Sequence, residues 1–178
     1  MDTRTNDEVK KGTVLGALNI PAGGKFASFG AWAYDPQAET RPLILLAEDQ
    51  DQAEDMRNHL MRVGIDRVKG YTISLADLPK IQPATITPEE LEDFEPALLL
   101  DVRNKSEHSD GHIPGSKQLS AGRVLWHQDQ LPKSGPIVTY CQSGTRNSVA
   151  ASALRRQGHD VRELVGSYAG WSEYKHSN

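Results

Sequence analysis

The sequence repeats itself, and this repeat limits the possible folds more than any other feature of the chain. When the 178-residue sequence is shifted by 99 positions, the stretch DTRTNDEVKKGTVLGALNIPAG aligns without a gap with DVRNKSEHSDGHIPGSKQLSAG. The identical residues are Asp2, Arg4, Glu8, Gly12, Gly16, Ala22 and Gly23, matched by Asp101, Arg103, Glu107, Gly111, Gly115, Ala121 and Gly122. Because three of these matches are glycines, which mark turns, the chain is predicted to contain two related units.

A second pair of segments repeats at a separation of 94 residues. LILLAEDQDQAEDMRNHLMRVG and IVTYCQSGTRNSVAASALRRQG each predict an apolar strand, a short polar loop, a helix and a glycine after the helix. We therefore expect one unit over residues 1–80 and another over 81–178, joined within LPKIQPATIT. The first unit has no counterpart of ATITPEELEDFEPALLLDVR, which opens the second. The first unit is therefore incomplete at its N-terminus. Either the chain is a fragment of a longer protein or the first unit is built incomplete, and we expect a fragment.

Strand and helix signals alternate along the second unit. Alternation of this kind predicts an α/β fold in which each unit has a parallel sheet flanked by helices. In such sheets ligands bind beyond the carboxyl ends of the strands. Asp101 and Cys141 both lie at the carboxyl ends of predicted strands, so we expect them to lie close to one site.

Composition excludes several classes of function. A net charge of −4 and a pI of about 5.9 argue against nucleic-acid binding, and no apolar run approaches the roughly 20 residues that span a bilayer. A single cysteine excludes an internal disulfide and a CxxC zinc site, and it suits a reducing, cytoplasmic location. His108 and His112 are four residues apart, but Gly111 and Pro114 disfavour the helix that a metal-binding pair needs, so no metal is expected.

The only cysteine lies where its chemistry would be enhanced. Cys141 ends a predicted strand and precedes a helix that should begin near Thr145 or Arg146. Backbone N–H groups and the positive end of the helix dipole would stabilise a thiolate there, as would the charge of Arg146. Gly144 lets the loop curl into an anion-binding nest for a thiolate, a persulfide or a small oxyanion. The structural alternative is that Cys141 is simply buried as a small apolar side chain.

The second unit resembles the rhodanese (sulfurtransferase) domain family. The matching segments are ITPEEL, LLDVRNKSEHSDGHIPGS, VTYCQSGTRNSVAA, VRELVGS and GSYAGW, which occur in the family's order over nearly all of residues 84–178. The resemblance implies that Cys141 accepts sulfane sulfur as a persulfide, without a metal or an organic cofactor. It implies that the persulfide is held by the loop that consists of Gln142, Ser143, Gly144, Thr145 and Arg146. Asp101 and Arg103 would support the site, or would form a buried structural ion pair.

The length of the loop bears on the reaction. Four residues separate Cys141 from Arg146, whereas the phosphatases and arsenate reductases of related fold carry five. The shorter loop favours the terminal sulfur of a persulfide over a tetrahedral anion. We expect ping-pong transfer from a small-molecule donor, thiosulfate or a low-molecular-weight persulfide, to a small-molecule or protein acceptor. A phosphatase or arsenate reductase and a non-catalytic binding module remain the alternatives.

The first unit lacks this chemistry. Ala47 occupies the position of the cysteine, and Glu48, Asp49 and Asp51 follow where an anion would bind. We expect this unit to be non-catalytic. Either it packs against the second unit and frames one side of its pocket, or it is an evolutionary remnant without a functional contact. A degenerate unit before an active one resembles the C-terminal part of fusions between a metallo-β-lactamase-like persulfide dioxygenase and rhodanese domains. A persulfide dioxygenase domain in the same parent chain is therefore an expected partner.

Overall fold

Strands and helices alternate along the second half of the chain, as the sequence predicts. The structure is a computed structural model that describes the backbone of residues 1–178 and every side chain except that of Gln128. The helices are α1 (Asn6–Lys10), α2 (Phe26–Ala33), α3 (Gln50–Met61), α4 (Pro88–Glu92), α5 (Lys105–Asp110), α6 (Ala121–Val124), α7 (Thr145–Arg156) and α8 (Ser167–Ser177). The strands are β1 (Thr13–Val14), β2 (Leu43–Leu46), β3 (Val68–Thr72), β4 (Lys80–Ile81), β5 (Thr85–Ile86), β6 (Leu98–Asp101), β7 (Lys117–Gln118), β8 (Ile137–Tyr140) and β9 (Val161–Leu164).

The second half is built on a five-stranded sheet with the order β5-β9-β8-β6-β7, in which every neighbouring pair is parallel. Helices α6 and α7 contribute side chains to the apolar cluster on one face, and α4 and α8 contribute to the cluster on the other. All four residues of β8 are buried because helices cover both faces. This arrangement confirms the predicted α/β class. In the described part of the chain, no helix has the length and apolarity needed to cross a membrane.

Local sequence sets the helix starts that position the site. Thr87 caps α4 by accepting a hydrogen bond from the Glu90 N–H at 3.1 Å, the Glu90 carboxylate accepts from the Thr87 N–H at 2.8 Å, and Pro88 follows at the first helical position. Helix α7 begins at Thr145, directly after Gly144. The start of α7 agrees with the sequence-based prediction.

In the first half of the chain (residues 1–80), the Asp–Arg contact of the second half (residues 81–178) recurs at the positions that the alignment pairs. Arg4 donates to Asp2 at 3.0 and 2.7 Å, and Arg103 donates to Asp101 at 3.0 and 2.7 Å. Strands β2 and β3 pair in parallel. Strand β4 pairs antiparallel with β1, so the predicted junction at residues 80–81 falls within β4. The division into units over 1–80 and 81–178 stays a prediction.

Helix α7 is packed between the two halves. Every residue from Asn147 to Leu154 is buried, so this stretch of the helix has no solvent-exposed face. Val149 and Ala153 pack with the apolar cluster of the first half, whereas Leu154 packs with that of the second. The helix that begins at the cysteine loop is thus held from both sides.

The two halves also approach closely at α2 and α6. Trp32 packs against both clusters. A Cβ atom at Gly122 would lie 3.0 Å from Trp32 Nε1, so only glycine fits there without displacing the indole.

Candidate active site

Cys141 directly follows β8, on the side of the sheet that faces α7. Side chains alternate along the strand, so Ile137 and Cys141 join one apolar cluster, and Val138 and Tyr140 join the other. The thiol is 1% exposed. Burial at this level is what the structural alternative for Cys141 predicts.

The loop after Cys141 directs a backbone amide at the sulfur. The Gly144 N–H donates a hydrogen bond to Cys141 Sγ at 3.1 Å. Gly144 has a φ of +113°, a conformation that L-residues with a side chain rarely adopt. The buried thiol is followed by a loop whose residues Gln142, Ser143 and Thr145 are exposed. An amide donor and a helix start beside sulfur are features that stabilise a thiolate.

Arg146 is paired with a residue that the sequence analysis did not assign to the site. Its two terminal nitrogens donate to the Glu107 carboxylate of α5 at 2.6 and 2.7 Å. Hydrogen bonds from Arg146 lower the pKa of Glu107 to about 2, against the opposing effect of burial. Glu107 therefore stays ionised and offsets the positive charge that the sequence placed beside Cys141. The repeat marks Glu107 as shared with Glu8 but gives no sign of its partner.

Replacing Glu107 by Gln is expected to lower the free energy of unfolding by about 1 kcal/mol at pH 7, because the ion pair is only partly exposed. In the wild type the pKa of Glu107 is depressed to about 2, so the stabilisation is complete above the unfolded-state pKa of about 4.3 and disappears as the pH falls towards 2. Urea unfolding between pH 7 and 3 measures the difference.

Glu8→Gln is the matched control for that variant, because within the described part of the chain Glu8 accepts hydrogen bonds only from Thr5. A loss for Glu107→Gln that does not change with pH would contradict the ion-pair explanation.

Asp101 and Arg103 form a buried ion pair that reaches the cysteine loop. Arg103 is 2% exposed, its Cζ lies 4.0 Å from the ring centroid of Tyr168, and its Nη1 donates to Gln142 Oε1 at 3.3 Å. Burial alone would raise the pKa of Asp101, but hydrogen bonds from Arg103 and His108 outweigh it and hold that pKa below its ordinary value. The two sequence-based interpretations, buried pair and loop support, are therefore geometrically compatible.

The two histidines considered as metal ligands are engaged within the protein. His108 Nδ1 lies 3.0 Å from Asp101 Oδ2, and His112 Nδ1 lies 2.9 Å from the backbone oxygen of His108. Their rings stack with centroids 3.9 Å apart. Helix α5 ends at Asp110, so the two residues do not share a helix.

The start of α8 fixes the backbone at Cys141, which the sequence analysis did not foresee. The Cys141 N–H donates to Ser167 Oγ at 3.4 Å, and the Tyr168 N–H donates to the Cys141 carbonyl oxygen at 2.9 Å. Ser167 has a φ of +55°, a left-handed conformation that is costly for a residue other than glycine. The segment GSYAGW gave a signal only as part of a family pattern, because nothing local in it indicates contact with Cys141.

The corresponding loop of the first half has no thiol and uses its acidic residues differently. Ala47 follows β2 and is buried. Asp49 caps α3 by accepting a hydrogen bond from the Gln52 N–H at 2.8 Å. A carboxylate therefore occupies the helix start where the second half has Gly144.

The second half of the chain is similar to rhodanese-like domains and to proteins named sulfurtransferases. The rhodanese-like domain family matches residues 87–174. A protein of Allochromatium vinosum named sulfurtransferase is 33% identical over 87 residues, which cover 48% of this chain and 81% of that protein. The thiosulfate sulfurtransferase GlpE of Pseudoalteromonas translucida is 34% identical over 83 residues, or 46% of this chain and 79% of that protein. The solution structure of the rhodanese-like domain of the Anabaena protein Alr3790 has a TM-score of 0.47 and 32% identity, and the match covers 53% of this chain and 76% of that domain.

Proposed function

Because the chain belongs to the rhodanese family, we propose that it is a sulfurtransferase that carries sulfane sulfur as a persulfide on Cys141. The relatives support a sulfurtransferase-type role in general. The observation that carries the finer proposal is the 3.1 Å hydrogen bond from the Gly144 N–H to Cys141 Sγ, at the start of α7. A persulfide anion needs such amide donors around its terminal sulfur.

The first half-reaction loads the cysteine. The Cys141 thiolate attacks the sulfane sulfur of thiosulfate, a new S–S bond forms, and the bond from that sulfur to the sulfonate sulfur breaks. The bonding electron pair leaves with sulfite, so no proton or redox partner is required. With a thiol persulfide as donor, the same attack releases the donor's thiolate.

The second half-reaction unloads the cysteine. A thiolate, cyanide or sulfite acceptor attacks the terminal sulfur, and the Cys141 thiolate leaves with the electron pair of the S–S bond. Two separate displacements on one nucleophile give ping-pong kinetics. In this scheme Gly144 and the neighbouring loop residues bind the terminal sulfur, and Asp101 with Arg103 holds the loop through Gln142.

The pairing of Arg146 with Glu107 bears on the choice of donor. Its guanidinium charge is offset by a carboxylate 2.6 Å away, so the loop attracts a dianion less strongly than a free arginine would. We therefore include low-molecular-weight thiol persulfides with thiosulfate as donors. A cytoplasmic location, and a persulfide dioxygenase domain as the source of the donor in the parent chain, belong to the same proposal.

Intact-protein mass spectrometry tests this function. Incubation with thiosulfate or glutathione persulfide should add the mass of one sulfur atom, and peptide mapping should place it on Cys141. Addition of cyanide should then remove the extra mass. A chain that gains no sulfur from either donor would refute the proposal, and turnover of an aryl phosphate instead would favour a phosphatase.

A further inference from the structure

The first half is attached directly to the helix that carries the cysteine loop. Asn19 of the first half donates from its backbone N–H to Ser152 Oγ at 2.9 Å, and Ser148 donates its hydroxyl to the Asn19 side-chain oxygen. Val149 and Ala153 of α7 pack into the first half's apolar cluster. Residues of the first half therefore keep a fixed position relative to the start of α7.

One side chain of the first half reaches the loop itself. Asn6 opens α1, and its Nδ2 lies 3.4 Å from the point where a Cβ atom of Gly144 would stand. Gly144 is also the residue whose amide contacts Cys141 Sγ. The N–H₂ end of the Asn6 amide is thus next to the proposed anion-binding loop.

The oxygen of the Asn6 amide does not hold the side chain in place. Asn6 Oδ1 is buried and has no hydrogen-bond partner among the described residues, so no hydrogen bond at that end fixes the orientation of the N–H₂ group. Buried polar atoms are nearly always paired, and an exception indicates a strained or functional position. Neighbouring polar residues of α1 behave differently, since Glu8 accepts hydrogen bonds from Thr5 at 2.9 and 3.2 Å.

From this geometry we propose that Asn6 is a specificity-determining residue of the sulfur-transfer site, supplied by the half that lacks a cysteine. Its N–H₂ group donates a hydrogen bond to an anionic oxygen of the sulfur donor. The oxygen belongs to the sulfonate of thiosulfate or to a carboxylate of a thiol persulfide. This inference rests on the proposed function, and it gives the first half a role in binding.

The test is sulfur loading of Cys141 by Asn6→Asp and Asn6→Ala, followed by protein mass over a range of donor concentrations. Asn6→Asp places a negative charge beside the bound anion and should raise the half-saturating concentration of thiosulfate about 10-fold or more, because hydrogen bonds to charged groups have effects of this size. Asn6→Ala should raise it several-fold. The rate at saturation should stay within about threefold of the wild type, because Asn6 does not touch the reacting sulfur.

Asn58→Asp is the control, because Asn58 is exposed on α3 and the substitution adds the same charge to the same half. Its loading should match the wild type. Glutathione persulfide as a second donor separates the two sources of anionic oxygen. If the half-saturating concentration rises for thiosulfate alone, Asn6 binds an oxygen of the sulfonate. If it rises for both donors, Asn6 binds an oxygen of a carboxylate as well.

The inference is overturned if both Asn6 variants load sulfur with the concentration dependence of the wild type. It is also overturned if their saturating rate falls in proportion to a loss of folded protein, as judged by the thermal unfolding midpoint. Failure of the wild type to gain sulfur is a different result, because it removes the sulfurtransferase function itself.

Discussion

Cys141→Ser should abolish sulfur transfer while leaving the fold intact. Serine cannot form the persulfide, so turnover with thiosulfate is expected to fall at least about 10³-fold, a typical effect of removing a nucleophile. The stability effect should be small, under about 1 kcal/mol, because the Gly144 N–H that donates to Sγ at 3.1 Å can donate to the serine hydroxyl. Steady-state kinetics and urea unfolding of the same preparation measure the two quantities.

The comparison of the two quantities decides between the interpretations of this buried residue. If Cys141 were only a small apolar side chain of the core, stability and activity would decline together, because the thiol would contribute only to the stability of the fold. Activity that survives in Cys141→Ser would refute the assignment of Cys141 as the nucleophile.

The first half offers a control, because Ala47→Cys in the Cys141→Ser background places a thiol after β2. It should not restore turnover, since Asp49 caps the helix there.

The scaffold could be predicted from the sequence because its signals are local or periodic. The start of α4 at Thr87 and Pro88 and the start of α7 after Gly144 follow from capping and turn chemistry within a few residues. The position of Cys141 follows from the alternation of side chains along a strand.

The finer parts of the site depend on contacts that no local rule specifies. Arg146 and Glu107 are 39 residues apart, and their pairing depends on how α5 lies against the start of α7. Asn6 reaches Gly144 from the other half of the chain, so its position depends on how the halves pack. The repeat could show that Glu107 is shared with Glu8, but it could not show which charge each one meets.

Arg103→Met should be the most destabilising substitution among those considered. Arg103 is 2% exposed and donates to Asp101 at 3.0 and 2.7 Å. Methionine fills much of the volume but leaves the Asp101 carboxylate buried without its guanidinium, and loss of one partner of a buried pair costs about 3–5 kcal/mol. Urea unfolding at pH 7 measures the loss. Sulfur loading should also slow, because the Arg103 contact to Gln142 disappears.

Arg4→Met is the matched control, since the repeat reproduces the pair with Asp2 at the same distances. The Arg4 side chain is 21% exposed, so water can reach the space that its guanidinium leaves, and a smaller loss is expected.

The pH dependence of the stability loss in Arg103→Met identifies its cause. In the wild type the depressed pKa of Asp101 contributes stability above the unfolded-state value of about 3.9, and this contribution is lost as the pH falls. In Arg103→Met the backbone N–H of residue 103 and His108 still contact the carboxylate, but without the guanidinium burial raises the pKa of Asp101 relative to the wild type. Acid therefore protonates the carboxyl at a higher pH in the variant and relieves its cost. The difference between wild type and variant should therefore shrink below about pH 4. A difference that stayed constant down to pH 3 would mean that the loss comes from the packing of Arg103 on Tyr168 and not from the charge pair.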